Sequence, residues 1–184
     1  GLIGLCDGES RQVLIFNESL ELETTYSVPL EGDGWYLNQG LETVYVFFDD
    51  GLMSYDLETD RAKWLLDNAT FVQPFEMGSG YVLFSYTDGT DRKTYNRCLN
   101  LSTASMETIP VEGFISSGIR RGEQWLLRRD IASGTYILVD QENAVTFTCP
   151  EGLVELLSGK RHLLITDGSY RELSLYDLEG NFLS

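Results

Sequence analysis

The stretch VYVFFDDGLMSYDLETDRAKWLL, residues 44–66, decides how this chain is built. It opens with an apolar run from Val44 to Phe48, turns at Asp50-Gly51 and resumes from Leu52 to Leu57. A second turn follows Asp56, and a third run carries Lys63 and Trp64. Short runs rich in β-branched and aromatic residues, bounded by Asp, Gly and Thr, have the composition of strands. Strands this close together can pair only as an antiparallel meander.

Both landmarks of this stretch recur. The first appears as Asp7-Gly8, Asp50-Gly51, Asp88-Gly89, Asp130 with Gly134, and Asp167-Gly168. The aspartates are 43, 38, 42 and 37 residues apart. The second appears as Asn17, Asp56, Asn100, Asp140 and Asp177, at spacings of 39, 44, 40 and 37 residues. Two turn signals in phase at about forty residues mark an internal repeat.

Each period reads as four runs. The first runs are 34–39, 71–77, 114–119 and 153–159, and the second are 43–49, 80–86, 124–130 and 162–167. The third are 52–57, 94–101, 135–140 and 172–178; the fourth are 62–67, 105–111 and 144–149. The opening period starts at "LIGLC", without its first run. Asp-Gly between runs predicts a tight hairpin with Gly at positive φ. No segment shows a sustained 3.6-residue apolar period. The second runs are apolar on both faces, as strands covered on both sides must be.

The expected fold is therefore all-β and β-propeller-like. About five repeats of four-stranded antiparallel blades span 1–30, 31–69, 70–111, 112–150 and 151–184 of a single domain. The count fits a closed five-bladed wheel or an arc of a larger one. An arc would bare apolar blade faces and favour self-association.

The opening stretch also resembles the PQQ-like blade of quinoprotein-type propellers. The shared residues are Val44-Tyr45-Val46, Asp50-Gly51, Tyr55-Asp56-Leu57 and Lys63-Trp64, and the tail "LYDLEGN" is similar over Asp177 and Gly180. The resemblance covers about 23 residues well. It implies a propeller in which a tryptophan at the place of Trp64 locks neighbouring blades. The quinone-binding residues of that family have no counterpart here, so no cofactor is expected.

Composition narrows the partners. With 29 acidic and 13 basic residues the formal charge is −16, which repels nucleic acid and anionic lipid. No apolar run reaches the length of a membrane helix, so no membrane span is expected. Cys6, Cys98 and Cys149 are too scattered for a disulfide framework or zinc site, and read as buried thiols or one disulfide with a spare. The start "GLIGLCDGES" has neither an initiator Met nor a basic leader, and reads as a processed or engineered end.

Candidate chemistry gathers in the loops that enter the first runs: "LEGDGW" (30–35), "DNATF" (67–71), "VEGF" (111–114) and "PEGL" (150–153). Asp33 (or Glu31), Glu112 and Glu151 each precede a glycine there, and Trp35 offers a stacking platform. Paired carboxylates converging in such loops could serve glycoside hydrolysis. Glu-Gly and Asp-Gly are also good turn formers, which is their plainer reading. Lone His162 has no triad context, and Asp49, Asp50, Asp88, Asp91 and Asn96 form no complete calcium loop. Arg120, Arg121, Arg128 and Arg129 read as pairing within the molecule.

These readings predict a non-catalytic, extracytoplasmic binding module for an unknown protein or glycan. Asp33, Trp35, Glu112 and Glu151 are its candidate ligand residues, with no metal site. The alternative is a glycoside hydrolase or glycan-binding propeller using the same carboxylates.

Overall fold

A computed structural model gives the fold and describes residues 1–78, 80–121, 124–130, 134–140, 143–148, 153–156, 162–166, 173–177 and 181–183. Eighteen strands occur among them, in five antiparallel sheets. The first holds β1 (Ile3–Asp7), β2 (Gln12–Phe16) and β3 (Leu22–Ser27). The second holds β4 (Gly34–Leu37), β5 (Thr43–Phe48), β6 (Gly51–Asp56) and β7 (Arg61–Leu66). The third holds β8 (Ala69–Gly78), β9 (Tyr81–Asp88), β10 (Thr94–Asn100) and β11 (Met106–Ile109). The fourth holds β12 (Ser117–Arg121), β13 (Gln124–Asp130), β14 (Thr135–Asp140) and β15 (Asn143–Thr148). The fifth holds β16 (Leu153–Leu156), β17 (His162–Thr166) and β18 (Leu173–Asp177). In every sheet, strands adjacent in sequence are adjacent in space.

Residues 1–108 and 109–184 form two compact units. In the first unit, the centre strands are apolar on both faces because both faces are covered. Along β5, Val44 and Val46 join Val13 and Ile15 of the first sheet in one core. Tyr45 and Phe47 point the other way and join Val82, Phe84 and Leu99 of the third sheet in a second core. Phe47 sits edge-on to Tyr36 and Phe84, at centroid distances of 5.3 and 5.2 Å. The Tyr45 hydroxyl donates to the Leu101 carbonyl at 2.9 Å, so its polar end is satisfied where it is buried. Each such side chain stabilises the fold by roughly 1.5–3 kcal/mol through burial.

In the second unit, Trp125 and Leu127 of β13 and Ile137 and Val139 of β14 are buried. Arg120 lies over the Trp125 ring at 5.2 Å and Arg128 over the Tyr136 ring at 5.5 Å. Half of the arginine cluster is thus held by cation–π contact within the molecule.

The repeated turns differ from the expectation. Gly8, Gly51 and Gly89 do not adopt positive φ; in three of the hairpins that duty falls four residues after the aspartate, on Arg11, Arg92 and Gly134. In two of the hairpins the aspartate organises the turn. Asp7 Oδ1 accepts from the Glu9 and Ser10 amides, and Asp88 Oδ1 from the Thr90 and Asp91 amides. The second landmark works alike: Asn17, Asp56 and Asn100 each cap two amides within the next four residues. These are Asx turns, in which a side-chain oxygen replaces a backbone acceptor. Gly51 and Gly89 are there for close approach. A Cβ on Gly51 would lie 2.5 Å from the Leu66 carbonyl oxygen, and one on Gly89 2.7 Å from that of Asn68.

Two further details bear on the sequence reading. The run expected at 114–119 is strand only from Ser117, because Gly113 at φ 83° turns the chain and leaves Phe114 in a loop. Trp64, whose likeness to the PQQ-like blade implies a lock between blades, contacts its own sheet. Its ring meets Phe48 at 5.7 Å, packs over Gly51 and stays 47% exposed.

Candidate functional site: an acidic cleft beside the first strand

A cleft of about 660 Å³ opens in the first unit. Leu5, Cys6 and Asp7 of β1 line one side, and Gly32, Asp33 and Trp35 the other. A recess of about 300 Å³ continues from it past Glu9, Arg11 and Glu31. The loop before β4 is held close to the second sheet. The Asp33 amide donates to the Phe47 carbonyl at 2.8 Å, and a Cβ on Gly32 would collide with that same oxygen. Gly32 therefore lets the chain pass, and leaves the Asp33 side chain exposed at the mouth. Trp35 is half-buried, with its indole nitrogen donating to the Gly32 carbonyl at 3.2 Å. Its ring lies against Gly8, where a Cβ would sit 3.4 Å away.

The charge of the cleft is negative. Arg11 pairs with Glu31, so the one basic group on its walls is already engaged. Asp7, Glu9 and Asp33 remain, and the Ser10 hydroxyl and amide hold the Asp7 carboxyl below its usual range. Burial pushes the Cys6 thiol up to about 11, so it stays protonated at neutral pH and is a poor nucleophile. Cys98 is buried, and Cys149 lies outside the described residues.

Of the four candidate residues, the cleft unites Asp33 and Trp35. Glu112 belongs to the second unit, exposed in the loop before β12, with its carbonyl accepting from Arg129 at 2.8 Å. Glu151 lies outside the described residues, as does Asp167-Gly168. His162 opens β17, paired with Asp177. The carboxylates weighed as metal ligands do not converge. Asp88 caps its turn, Asp91 accepts from the Tyr95 hydroxyl at 2.5 Å, and buried Asn96 accepts from Ser85 at 2.6 Å. Among the described residues, no three His, Cys, Asp or Glu gather as a metal site. No helix there is long and apolar enough to cross a membrane. Sequence reasoning missed Cys6, Asp7 and Glu9.

No protein-family model and no curated protein matches the sequence. Solved structures do share the fold. Dihydro-heme d1 dehydrogenase NirN, in complex with DHE, matches at TM-score 0.55 and 12% identity over 100% of this chain and 43% of its own. Kluyveromyces lactis Hsv2p matches at TM-score 0.57 and 9% identity, over 100% of this chain and 59% of its own. This chain thus spans about half the length of each. Both are β-propeller proteins, and the likeness carries the fold alone. The architecture of this chain is that of β-propeller blades.

Proposed function

We propose that this chain is a non-catalytic β-propeller interaction module, and that the acidic cleft beside β1 is where it meets its partner. The observation that carries this reading is the division of labour among its carboxylates. Asp7, Asp56, Asp88 and Asp91 cap turns, whereas Asp33 stands exposed beside a half-buried tryptophan in an open cleft. The propeller neighbours support an interaction role by analogy of fold. The PQQ-like character of residues 44–66 supports membership of that blade type, and an extracytoplasmic setting with it.

A glycan ligand is the second reading, favoured by the pairing of Trp35 with Asp33 at the cleft mouth. The purified chain is expected to leave aryl glycosides unhydrolysed across neutral pH. A turnover lost in Asp33→Asn or Glu112→Gln would overturn the module in favour of a glycosidase. Quenching of Trp35 fluorescence by oligosaccharides, absent in Trp35→Phe, would replace the protein partner with a sugar.

A further inference from the structure

Strand β8 carries a residue that neither its backbone nor its packing calls for. Phe71 lies at φ 53°, in the left-handed region, and is 72% exposed. Among the described residues, Arg11, Leu20, Leu41, Asp60, Arg92 and Ala104 share that backbone, but each closes a hairpin between paired strands. Asn68 shares it too, and asparagine tolerates it. Phe71 is the aromatic residue of the group and lies inside a strand.

The register shows how the ring comes to be presented. Thr70 pairs with Thr87 and Gln73 with Ser85, so Phe71 and Val72 together oppose Tyr86. In a bulge of this kind the left-handed first residue is ordinarily glycine, which adopts that backbone at no steric cost. Ala69 and Val72 are buried to either side, and the Val72 amide donates to the Asp49 carbonyl of the β5–β6 hairpin at 3.2 Å. The strand is thus pinned around the bulge while Phe71 is turned outward. Residues 49–88 of the first unit make the whole feature. Bulges re-aim side chains beside binding sites, and backbone strain at an exposed residue points to contact rather than to folding.

We propose that Phe71 is a platform on which an arginine of a partner protein stacks, drawn there by the aspartates around it. This rests on the interaction-module reading and gives it a second contact point, with a stated partner chemistry. Asp49, whose carbonyl holds Val72, is exposed, as are Asp50 beside it and Asp67 just before β8. An aromatic face set among carboxylates selects a cation. It favours arginine over lysine, because a guanidinium can lie flat on the ring while its edge bonds a carboxylate. Charge argues against a second copy as the occupant, since each chain carries −16.

The test titrates fluorescein-labelled hexa-arginine and hexa-lysine, each with the whole chain, by fluorescence anisotropy. Equal charge would bind both alike, whereas stacking should make hexa-arginine bind at least about three-fold more tightly. Both should weaken at least about five-fold between about 50 and about 500 mM NaCl. Phe71→Gly and Phe71→Asn should each abolish the preference for arginine. Both should hold or raise the urea midpoint, because each suits the bulge better than Phe. No binding, equal binding of the two peptides, or a preference that survives both variants overturns the proposal. So does a urea midpoint lowered in both variants, which would show the ring already packed within the chain. A dimer in light scattering that Phe71→Gly dissolves overturns it too, because a second copy then occupies the platform. Glycoside hydrolysis would end the module reading while leaving this titration to stand or fall by itself.

Discussion

Ile3 and Leu5 of the first sheet hold the places that Val44 and Val46 hold in the second, yet the first pair is 49% and 54% exposed and the second pair 0%. The residues are alike in kind, and the difference lies in what covers them. Val44 and Val46 face Val13 and Ile15 of the first sheet, whereas no sheet of the first unit covers the other face of that sheet. Phe16 and Tyr55 repeat the contrast one strand over: Tyr55 is buried in the shared core, and Phe16 is only partly covered. A repeated strand thus serves as core where a neighbouring sheet covers it and stays exposed where none does.

The comparison can be broken by mutation, most sharply at the covered sheet. Phe47→Ala should cost about 3–5 kcal/mol in denaturant unfolding, since it empties a fully buried ring contacting Tyr36 and Phe84. A cost under about 1 kcal/mol would mean that the second and third sheets do not pack as described.

Gly51→Ala should cost about 1–3 kcal/mol by forcing the Leu66 carbonyl aside, while Gly8→Ala, which meets only the Trp35 side chain at ordinary contact distance, should be within about 0.5 kcal/mol of the parent. Equal costs would remove the difference between the two hairpins. Val46→Thr should cost about 1–3 kcal/mol by burying a hydroxyl, against about 0.5 kcal/mol or less for Leu5→Thr.

The Tyr55 and Phe16 pair adds a pH signature. Burial, with Asp60 beside the hydroxyl, pushes Tyr55 up to about 12. The fold therefore favours the protonated phenol. Its contribution is whole below pH 10 or so, the usual tyrosine value, and is lost as pH rises toward about 12. Urea midpoints should fall over that window, and Tyr55→Phe should flatten the fall. The smallest effect is chemical: Cys6, held protonated to about 11, should react slowly with iodoacetamide at neutral pH and speed up only in alkali.

Strand placement was legible in the sequence because paired landmarks fix it twice. The runs at 124–130 and 135–140 are β13 and β14 to the residue. Burial on both faces of β5 was legible from its unbroken apolar run. Turn chemistry was legible only in part. Asp and Gly mark the hairpins, but Gly51 and Gly89 serve close approach and the left-handed residue is an arginine in two hairpins, which no turn rule favours. The site was half legible. Asp33 and Trp35 follow from loop position, whereas Cys6, Asp7 and Glu9 join them only because β1 and the loop before β4 meet in space.

Hydrogen exchange read strand by strand tests the central contrast most directly. Amides of residues 43–48 are flanked by strands on both sides and covered on both faces, and should exchange only with global unfolding. Amides of residues 3–7 have one paired edge and should include positions exchanging at least about a hundred-fold faster. Equal protection of the two strands in the isolated chain would show β1 already covered, and would contradict the account.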